Sequence, residues 1–254
     1  MDVGTEGGNK WKRGLLPAAF WLAVWALCAA AIGKELLLPS PAAAFHAFWR
    51  LFRTGDFWRA VGTSLGRTGL GFFLGTLLGT GLGVATAASR WCDRLLSPAL
   101  RAVRTVPVVS FILLLFFWLP TGWVPVAVSA LMALPVVWRS ARQGIAQADP
   151  LLLELADAYR MGRWKRLSLI YAPAALPALS AGWETALGLA WKSGVAAEVL
   201  CQPKWALGTG LQVSKAYLDA PGLFAWTGTL VALSLVTEWI LHRLLGRWKG
   251  GGRA

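Results

Sequence analysis

The chain has 254 residues and a mean hydropathy of +0.54, and 56% of its residues are hydrophobic. Charged residues make up only 15%, which excludes the polar coat that a water-soluble domain of this size needs. The net charge of +13 would suggest nucleic acid in a soluble protein, but in a membrane protein it is first a topology signal. We therefore predict an all-α, polytopic membrane protein that lies in a lipid bilayer and binds no nucleic acid.

The first predicted span covers residues 14–33, which are uncharged and as a helix reach ~30 Å, the thickness of the hydrocarbon core. A signal peptide is the alternative, but no small-residue cleavage site followed by a soluble domain is evident. Residues 36–59 differ, because two prolines are followed by aromatic residues at helical spacing with arginines on another face. This pattern predicts a helix that lies in the membrane interface.

Residues 68–89 form the second predicted span. It contains four glycines spaced four residues apart, which places them along one stripe of a helix. Small residues let a second helix approach closely inside a membrane, although glycine is also generally frequent there. We predict a helix-packing stripe made of Gly71, Gly75, Gly79 and Gly83.

Residues 105–138 carry no charge and as one helix would reach ~51 Å, too long for a single crossing. We predict two short spans, 106–119 and 122–138, joined by an outer turn at Pro120-Thr121-Gly122. Residues 176–200 and 223–241 form the fifth and sixth spans. The domain organisation is then a tail at 1–13, a transmembrane domain at 14–245 with a long loop at 139–175, and a mobile, basic tail at 246–254.

Six spans place both termini on one side of the membrane. On that side fall 17 of the 25 Lys and Arg residues, against six on the opposite side. The positive-inside rule therefore predicts that both termini and the loop at 139–175 are cytoplasmic.

The long loop has a helical pattern of its own. A proline opens residues 150–160, apolar and acidic residues alternate at helical spacing, and Gly162 can end the helix. The sequence pattern of residues 164–171 predicts a second short helix. The pattern fits either a module that docks a partner or a solvated loop whose apolar residues lie on the bilayer.

A family resemblance bears on this choice. The resemblance rests on Glu154-Leu155-Ala156 followed by Pro173-Ala174-Ala175-Leu176-Pro177, which look like the EAA loop of ABC importer permeases. Residues 38–41, 64–67, 104–107 and 190–198 are similar to the nitrate, sulfonate and taurine branch of that family. The order and spacing of these pieces, from about residue 36 to 241, carry the resemblance.

The resemblance implies a type I ABC importer permease fold in the bacterial inner membrane. It implies an ATPase subunit dimer that binds ATP and Mg²⁺, an extracytoplasmic substrate-binding protein and a second permease copy, most simply an identical one. The chain lacks a Walker A motif and is expected to bind no cofactor and to catalyse no reaction. The implied ATPase-coupling residues are Glu154, Leu155, Ala156, Asp157, Ala158, Tyr159, Arg160 and Gly162.

The loop departs from the family pattern at one position. Arg160 stands where the family has glycine, and Gly162 follows two residues later. Glycine reaches positive φ without strain, whereas arginine does so at a cost. Either the turn between the two short helices has slipped, or the ATPase contacts are adjusted.

Charged residues at membrane depth are costly and usually face protein or water. Glu184 and Lys192 are ~12 Å apart along a helix, so each needs a partner elsewhere or a water-filled path. A buried interhelical ion pair is one alternative, and snorkelling of Lys192 and Glu198 to the outer interface is the other. The candidate pathway residues are Arg67, Glu184, Trp191, Lys192 and Glu198.

Two other function classes remain open at this point. An intramembrane enzyme would need a Ser/His or paired-Asp constellation, which the sequence does not present. A stand-alone channel or secondary carrier would work without an ATPase. For an importer, the basic residues suit a small anion such as nitrate, a sulfonate or taurine, and related permeases also carry thiamine-precursor-like heterocycles.

Overall fold

The computed structural model describes the backbone of residues 7–250 and, residue 18 apart, the side chains of residues 16–246. The described backbone contains helices and no β-strand, which confirms the predicted all-α class. A single π-helical turn, Leu167–Tyr171, joins the eighth and ninth helices. The helices are α1 Gly7–Ile32, α2 Pro41–Phe52, α3 Gly55–Ala88, α4 Arg90–Thr105, α5 Val108–Trp118, α6 Val124–Ala146, α7 Pro150–Ala158, α8 Arg163–Arg166, α9 Ala172–Cys201, α10 Leu207–Ala216 and α11 Ala220–Gly250.

Three of the described helices are long and apolar enough to cross a membrane: α3, α6 and Ala220–Gly246 of α11. Counting the bent pair α4–α5 as one broken span raises the number to four. In α1 the apolar stretch that was found is shorter, Ala19–Ile32. Helix α9 is long enough at ~45 Å but is interrupted by Glu184 and Lys192. The chain is a multi-pass helical membrane protein, and the count of six spans stays a prediction.

The third predicted span, at 106–119, corresponds to helix α5, which is too short to cross a membrane by itself. Helix α5 has 11 residues and reaches only ~16 Å. A bend of 106° separates it from α4. The cause is Pro107, which lacks an N–H and disfavours helical backbone at Val106, whose ψ of 133° is extended.

Helices α3 and α6 extend well beyond their predicted spans. Helix α3 begins at Gly55 because the Thr54 hydroxyl accepts a hydrogen bond from the Phe57 N–H at 3.3 Å. Residues 55–59, predicted as part of the interfacial segment, therefore belong to α3. Helix α2 is what remains of that segment, and its interfacial position stays a prediction. Helix α6 continues to Ala146, so the first eight residues of the predicted loop at 139–175 are helical.

The predicted tails fall partly outside the described residues. Helix α1 already begins at Gly7, within the predicted tail at 1–13, and residues 1–6 lie outside the described part. Helix α11 runs to Gly250, so the predicted tail at 246–254 begins as helix. Residues 251–254 lie outside the described part, and their mobility stays a prediction.

The chain divides into two compact units. The first contains the described residues up to Trp58 together with Gly210–Leu230. Aromatic rings hold it together: Trp25 stacks on Phe224 at 5.6 Å, and Phe57 lies 5.4 Å from Trp226. The Trp25 indole N–H also donates to the Pro39 carbonyl at 3.0 Å, which fixes the entry into α2.

The second unit contains Arg59–Thr209 and the described residues from Val231 onward. Its centre is the pair α6–α9, where small residues let the helices meet closely. Ala133, Val137, Ala186 and Ala190 form one buried cluster, and the Ser129 hydroxyl donates to the Ala190 carbonyl at 2.9 Å. At the other end of the pair, a Cβ on Gly144 would lie 2.7 Å from the Cα of Ala175.

The predicted glycine stripe lies against α6. A Cβ on Gly71 would come within 2.5 Å of the Val126 carbonyl oxygen, and one on Gly75 within 2.6 Å of the Ala130 oxygen. Gly79 and Gly83 make equally close approaches further along the same helix. Each of these distances is shorter than real Cβ atoms tolerate. The close contact is with α6 backbone oxygens at Gly71, Gly75 and Gly79 and with the Ala141 Cβ at Gly83.

Candidate functional site

Helix α7 of the predicted coupling loop is closed at both ends by its own residues. The Asp149 carboxylate accepts from the Leu151 N–H at 2.9 Å, and Pro150 occupies the first helical position. At the other end, the Met161 N–H donates to the Ala156 carbonyl at 2.8 Å and the Arg160 N–H to the Asp157 carbonyl at 3.0 Å. These two bonds define a Schellman motif.

Arg160 occupies the left-handed position of this motif with φ +47°. The turn has therefore not slipped, because Gly162 has an ordinary φ of −65°. Arginine adopts the conformation that glycine provides at the family position, at a cost of ~1–2 kcal/mol. The structure excludes the slipped turn: the loop keeps its turn and carries local backbone strain at Arg160. Adjusted ATPase contacts stay a prediction.

Arg166 ties the two short helices of the loop together. Its Nε donates to the Met161 carbonyl at 3.0 Å, and its Nη2 donates to the Ala156 carbonyl at 3.2 Å. The same Nη2 lies 2.5 Å from the Asp157 carboxylate. Below this clamp Ala148, Ala156 and Ile170 form a small buried core. The loop is thus a preformed module with satisfied helix ends.

The outer face of this module is apolar and exposed. Tyr159 is 76% exposed and Trp164 is 83% exposed, and Leu151, Leu152 and Leu155 lie open beside them. Of the predicted coupling residues only Ala156 is buried, where it supports the loop from inside. The exposed members are Glu154, Leu155, Asp157, Ala158, Tyr159, Arg160 and Gly162.

Glu198, predicted as a pathway candidate, lies at the centre of a buried polar network. Its side chain is 1% exposed. The Ser64 hydroxyl lies 2.7 and 2.8 Å from the two carboxylate oxygens, and the Gly208 N–H donates to Oε2 at 3.2 Å. The Leu207 N–H in turn donates to the Ser64 hydroxyl at 3.0 Å. Protein encloses Glu198, which holds the start of α10 against α3.

Arg67 belongs to the same network. Its guanidinium lies 3.5 Å from the Glu198 carboxylate and donates to the Lys204 carbonyl at 3.1 Å and the Trp205 carbonyl at 3.3 Å. Gln202 and Trp205 in the connected loop have positive φ values of 46° and 49°. Because Glu198 compensates its charge, Arg67 acts as a clamp on this strained loop.

The remaining pathway candidates lie apart from this network. Trp191 is buried, whereas Lys192 is exposed and has no ion pair within the described residues. Glu184 finds a partner on another helix, since its Oε1 lies 3.3 Å from Nδ1 of His242 on α11. Glu184 and His242 line a cleft of about 600 Å³ that Glu238 also borders. Among the described residues, no group of His, Cys, Asp or Glu could hold a metal ion.

A further ion pair, which the sequence did not reveal, connects α4 with α6. The Asp93 carboxylate accepts from Nη2 of Arg142 at 2.8 Å and is also bonded by the Ser97 hydroxyl. The Ser97 hydrogen bond and the Arg142 charge hold the pKa of Asp93 below its usual value. The sequence analysis did not predict a role for three of the side chains described above: Ser64, Arg166 and Asp93. The only available signal was for Ser64, which lies one helical turn before Arg67.

Comparison with known sequences identifies relatives over most of the chain. It is 31% identical over 217 residues to the riboflavin transport system permease protein RibX of Chloroflexus aurantiacus, covering 84% of this chain and 81% of that protein. It is 27% identical to the putative aliphatic sulfonates transport permease protein SsuC of Bacillus subtilis, covering 94% and 88%. It is 24% identical to the taurine transport system permease protein TauC of Escherichia coli, covering 89% and 85%.

Solved structures share the fold. A chain of the MetNI methionine ABC transporter in an inward-facing conformation matches with a TM-score of 0.65 at 16% identity, covering 76% of this chain and 95% of that chain. A chain of a bacterial ABC transporter that imports alginate matches with a TM-score of 0.64 at 17% identity, covering 93% and 95%. The family model for the binding-protein-dependent transport system inner membrane component matches residues 73–250. The chain therefore belongs to this family, the permease subunits of ABC importers.

Proposed function

We propose that two copies of this chain form a substrate pathway that opens alternately to the two sides of the membrane, driven by a separate ATPase dimer. The observation that supports this most directly is the preformed coupling loop. Its helix ends are closed by the Schellman motif and by Arg166, yet its outer face exposes Tyr159, Trp164 and three leucines. An exposed apolar patch on a preorganised module is typical of a docking surface.

The connections of this module fit a mechanical role. The π-helical turn joins α8 directly to α9, without a flexible linker. The close approach of Gly144 to Ala175 joins the end of α6 to the start of α9. A partner that closes on the loop would therefore displace α6 and α9 together, which is the movement that alternating access requires.

The charge distribution supports a cytoplasmic position for the loop and both termini, as the positive-inside rule predicts. ATP and Mg²⁺ would then bind in the partner ATPase and not in this chain. An extracytoplasmic binding protein would deliver the substrate to the opposite face. With one permease sequence to consider, a homodimer is the simplest assembly.

The substrate that we propose is a small organic or inorganic anion, with flat heterocycles as the second candidate. The names of the relatives include substrates of both classes: sulfonates, taurine and bicarbonate are small and carry charge, and riboflavin is a flat heterocycle. Arg67 is neutralised by Glu198, whereas Lys192 is exposed and has no ion pair within the described residues. Lys192 is therefore the residue that we propose for contact with an anion.

The test is reconstitution in liposomes with the neighbouring ATPase and binding protein, with ATPase stimulation scored across a ligand panel. A coupled importer hydrolyses ATP faster with its ligand, and Lys192→Met should reduce transport of an anion more than Lys192→Arg does. Ala158→Arg should separate hydrolysis from transport, while Ala158→Ser at the same position should not. Normal transport by Ala158→Arg would refute the docking role. If no ATPase copurifies and transport proceeds without ATP, a stand-alone channel or carrier replaces this proposal.

A further inference from the structure

Helix α4 carries a stripe of arginines. Arg90, Arg94, Arg101 and Arg104 fall within an arc of ~80° on the helix circumference, at 100° per residue. All four are exposed, and within the described part of the chain none forms an ion pair with an acidic side chain. Asp93 interacts electrostatically with Arg101 but is already paired with Arg142, so the four arginines leave an excess of positive charge that calls for a negatively charged partner.

An apolar strip runs beside the arginines. Trp91 is 70% exposed and Leu95 is 59% exposed, next to the arginine stripe on the helix circumference. We call the four arginines with Trp91 and Leu95 the α4 surface. Its combination of basic and large apolar side chains is the composition of helices that lie in a membrane interface.

One flank of α4 is fixed to the protein. Leu100 is buried and, beside it on the circumference, Asp93 forms its ion pair with Arg142 of α6. Ser97, which falls within the arc of the arginines, is buried at the same contact and bounds the exposed side of the helix. Helix α4 therefore cannot rotate freely, and the α4 surface is held facing outward. This fixed orientation distinguishes α4 from an amphipathic helix that is only loosely attached to its protein.

The path of the chain places α4 along the membrane surface. Helix α3, which is long enough to cross the membrane, ends at Ala88, two residues before α4 begins. The bend of 106° at Pro107 directs α4 almost perpendicular to α5. If α5 enters the membrane, α4 must lie nearly in its plane, with Trp91 at the depth where indole rings concentrate.

We infer that the α4 surface binds anionic phospholipid headgroups in the cytoplasmic leaflet. Arginine recognises phosphate with two parallel hydrogen bonds, while Trp91 and Leu95 enter the acyl region. Each arginine near an anionic membrane increases binding by about fivefold at low salt. Through the Asp93–Arg142 pair, this contact anchors α6, the helix that leads into the coupling loop. The inference rests on the cytoplasmic position of α4 in the proposed function.

The test uses the full-length permease in nanodiscs of phosphatidylcholine, with or without 30% phosphatidylglycerol. A nitroxide at Leu95→Cys, in a background with Cys28, Cys92 and Cys201 replaced by alanine, reports depth through its accessibility to oxygen and to a nickel chelate. We expect the label in the oxygen-rich acyl region, and deeper when phosphatidylglycerol is present. Arg94→Gln with Arg101→Gln should weaken the affinity of the site for phosphatidylglycerol by up to ~25-fold, which brings the phosphatidylglycerol fraction around the protein down toward that of the bulk bilayer. Arg163→Gln with Lys165→Gln removes the same charge from the coupling loop and should have a smaller effect.

The outcomes separate the inference from the proposed function. Gly162→Cys, at an open site in the loop, should react with a membrane-impermeant maleimide only in inside-out vesicles. If it reacts from the outside, the topology is wrong. If it reacts from the inside but the Leu95→Cys label is water-exposed and insensitive to phosphatidylglycerol, the lipid site is refuted. A label that becomes shielded from both reagents only when the ATPase binds would make the α4 surface a protein interface and refute the lipid site as well.

Discussion

Replacing Arg160 by glycine should stabilise the coupling loop. At φ +47°, a residue with a Cβ costs ~1–2 kcal/mol relative to right-handed backbone. Glycine removes this cost, but it stabilises the opened loop by ~0.5–1 kcal/mol because its backbone gains more conformational entropy there than arginine does. The net expectation for Arg160→Gly is a gain of ~0.5–1 kcal/mol in the local opening free energy.

The assay is amide hydrogen exchange of the two N–H groups that close the Schellman motif, those of Arg160 and Met161. A gain of this size slows their exchange by about two- to fivefold when the loop opens locally. Arg160→Ala is the matched control, because it removes the guanidinium and keeps a Cβ at positive φ. It should leave exchange unchanged, whereas Arg160→Pro should accelerate it, since proline fixes φ near −65° and removes a donor.

Two results would refute this reasoning. Faster exchange in Arg160→Gly would mean that the arginine side chain stabilises the loop more than its backbone strain costs. Equal slowing in Arg160→Ala and Arg160→Gly would place the effect in the side chain and not in φ.

Further predictions concern the helix contacts and the buried network. Gly75→Val should destabilise the protein by ~1–3 kcal/mol, because its Cβ would meet the Ala130 carbonyl. Gly81→Ala, at a position in open space, should leave the stability unchanged, and thermal denaturation in detergent compares the two variants. Glu198→Leu should cost ~3–5 kcal/mol by leaving Arg67 and the Gly208 N–H without the carboxylate, and Glu198→Gln should cost less, in the same assay. Arg166→Ala should accelerate exchange at the Met161 amide through the loss of its bonds to the Ala156 and Met161 carbonyls, while the exposed Arg163→Ala should leave it unchanged.

The sequence predicted the parts of the fold that depend on local chemistry. Helix α7 begins at its Asp149 cap and Pro150, as expected from capping preferences. The conflict between Arg160 and a glycine position was visible from the resemblance, but only φ could decide whether the turn had moved. The family resemblance itself is confirmed by the match over residues 73–250.

The parts that were missed depend on contacts between distant residues. The end of α6 was predicted at residue 138 because Arg139 follows, but a helix ends where its backbone bonds stop, and Arg142 finds Asp93 on α4. Glu198 was a candidate for the pathway, with snorkelling as the alternative, and nothing in its neighbourhood along the chain reveals its partner Ser64, 134 residues away. Pro107 was visible, but its effect on the direction of α4 was not weighed.

The contact between α3 and α6 has a mechanical consequence. Because α3 presents four glycines to α6, no side chain of α3 lies at these positions that could change rotamer and absorb a displacement. The pair should behave as a lever. A tilt of 5° about one end of α6, which is ~34 Å long, moves the other end by ~3 Å. A small push at the end of α6 beside the coupling loop would thus move its other end, near which Arg67 clamps the loop at Lys204 and Trp205.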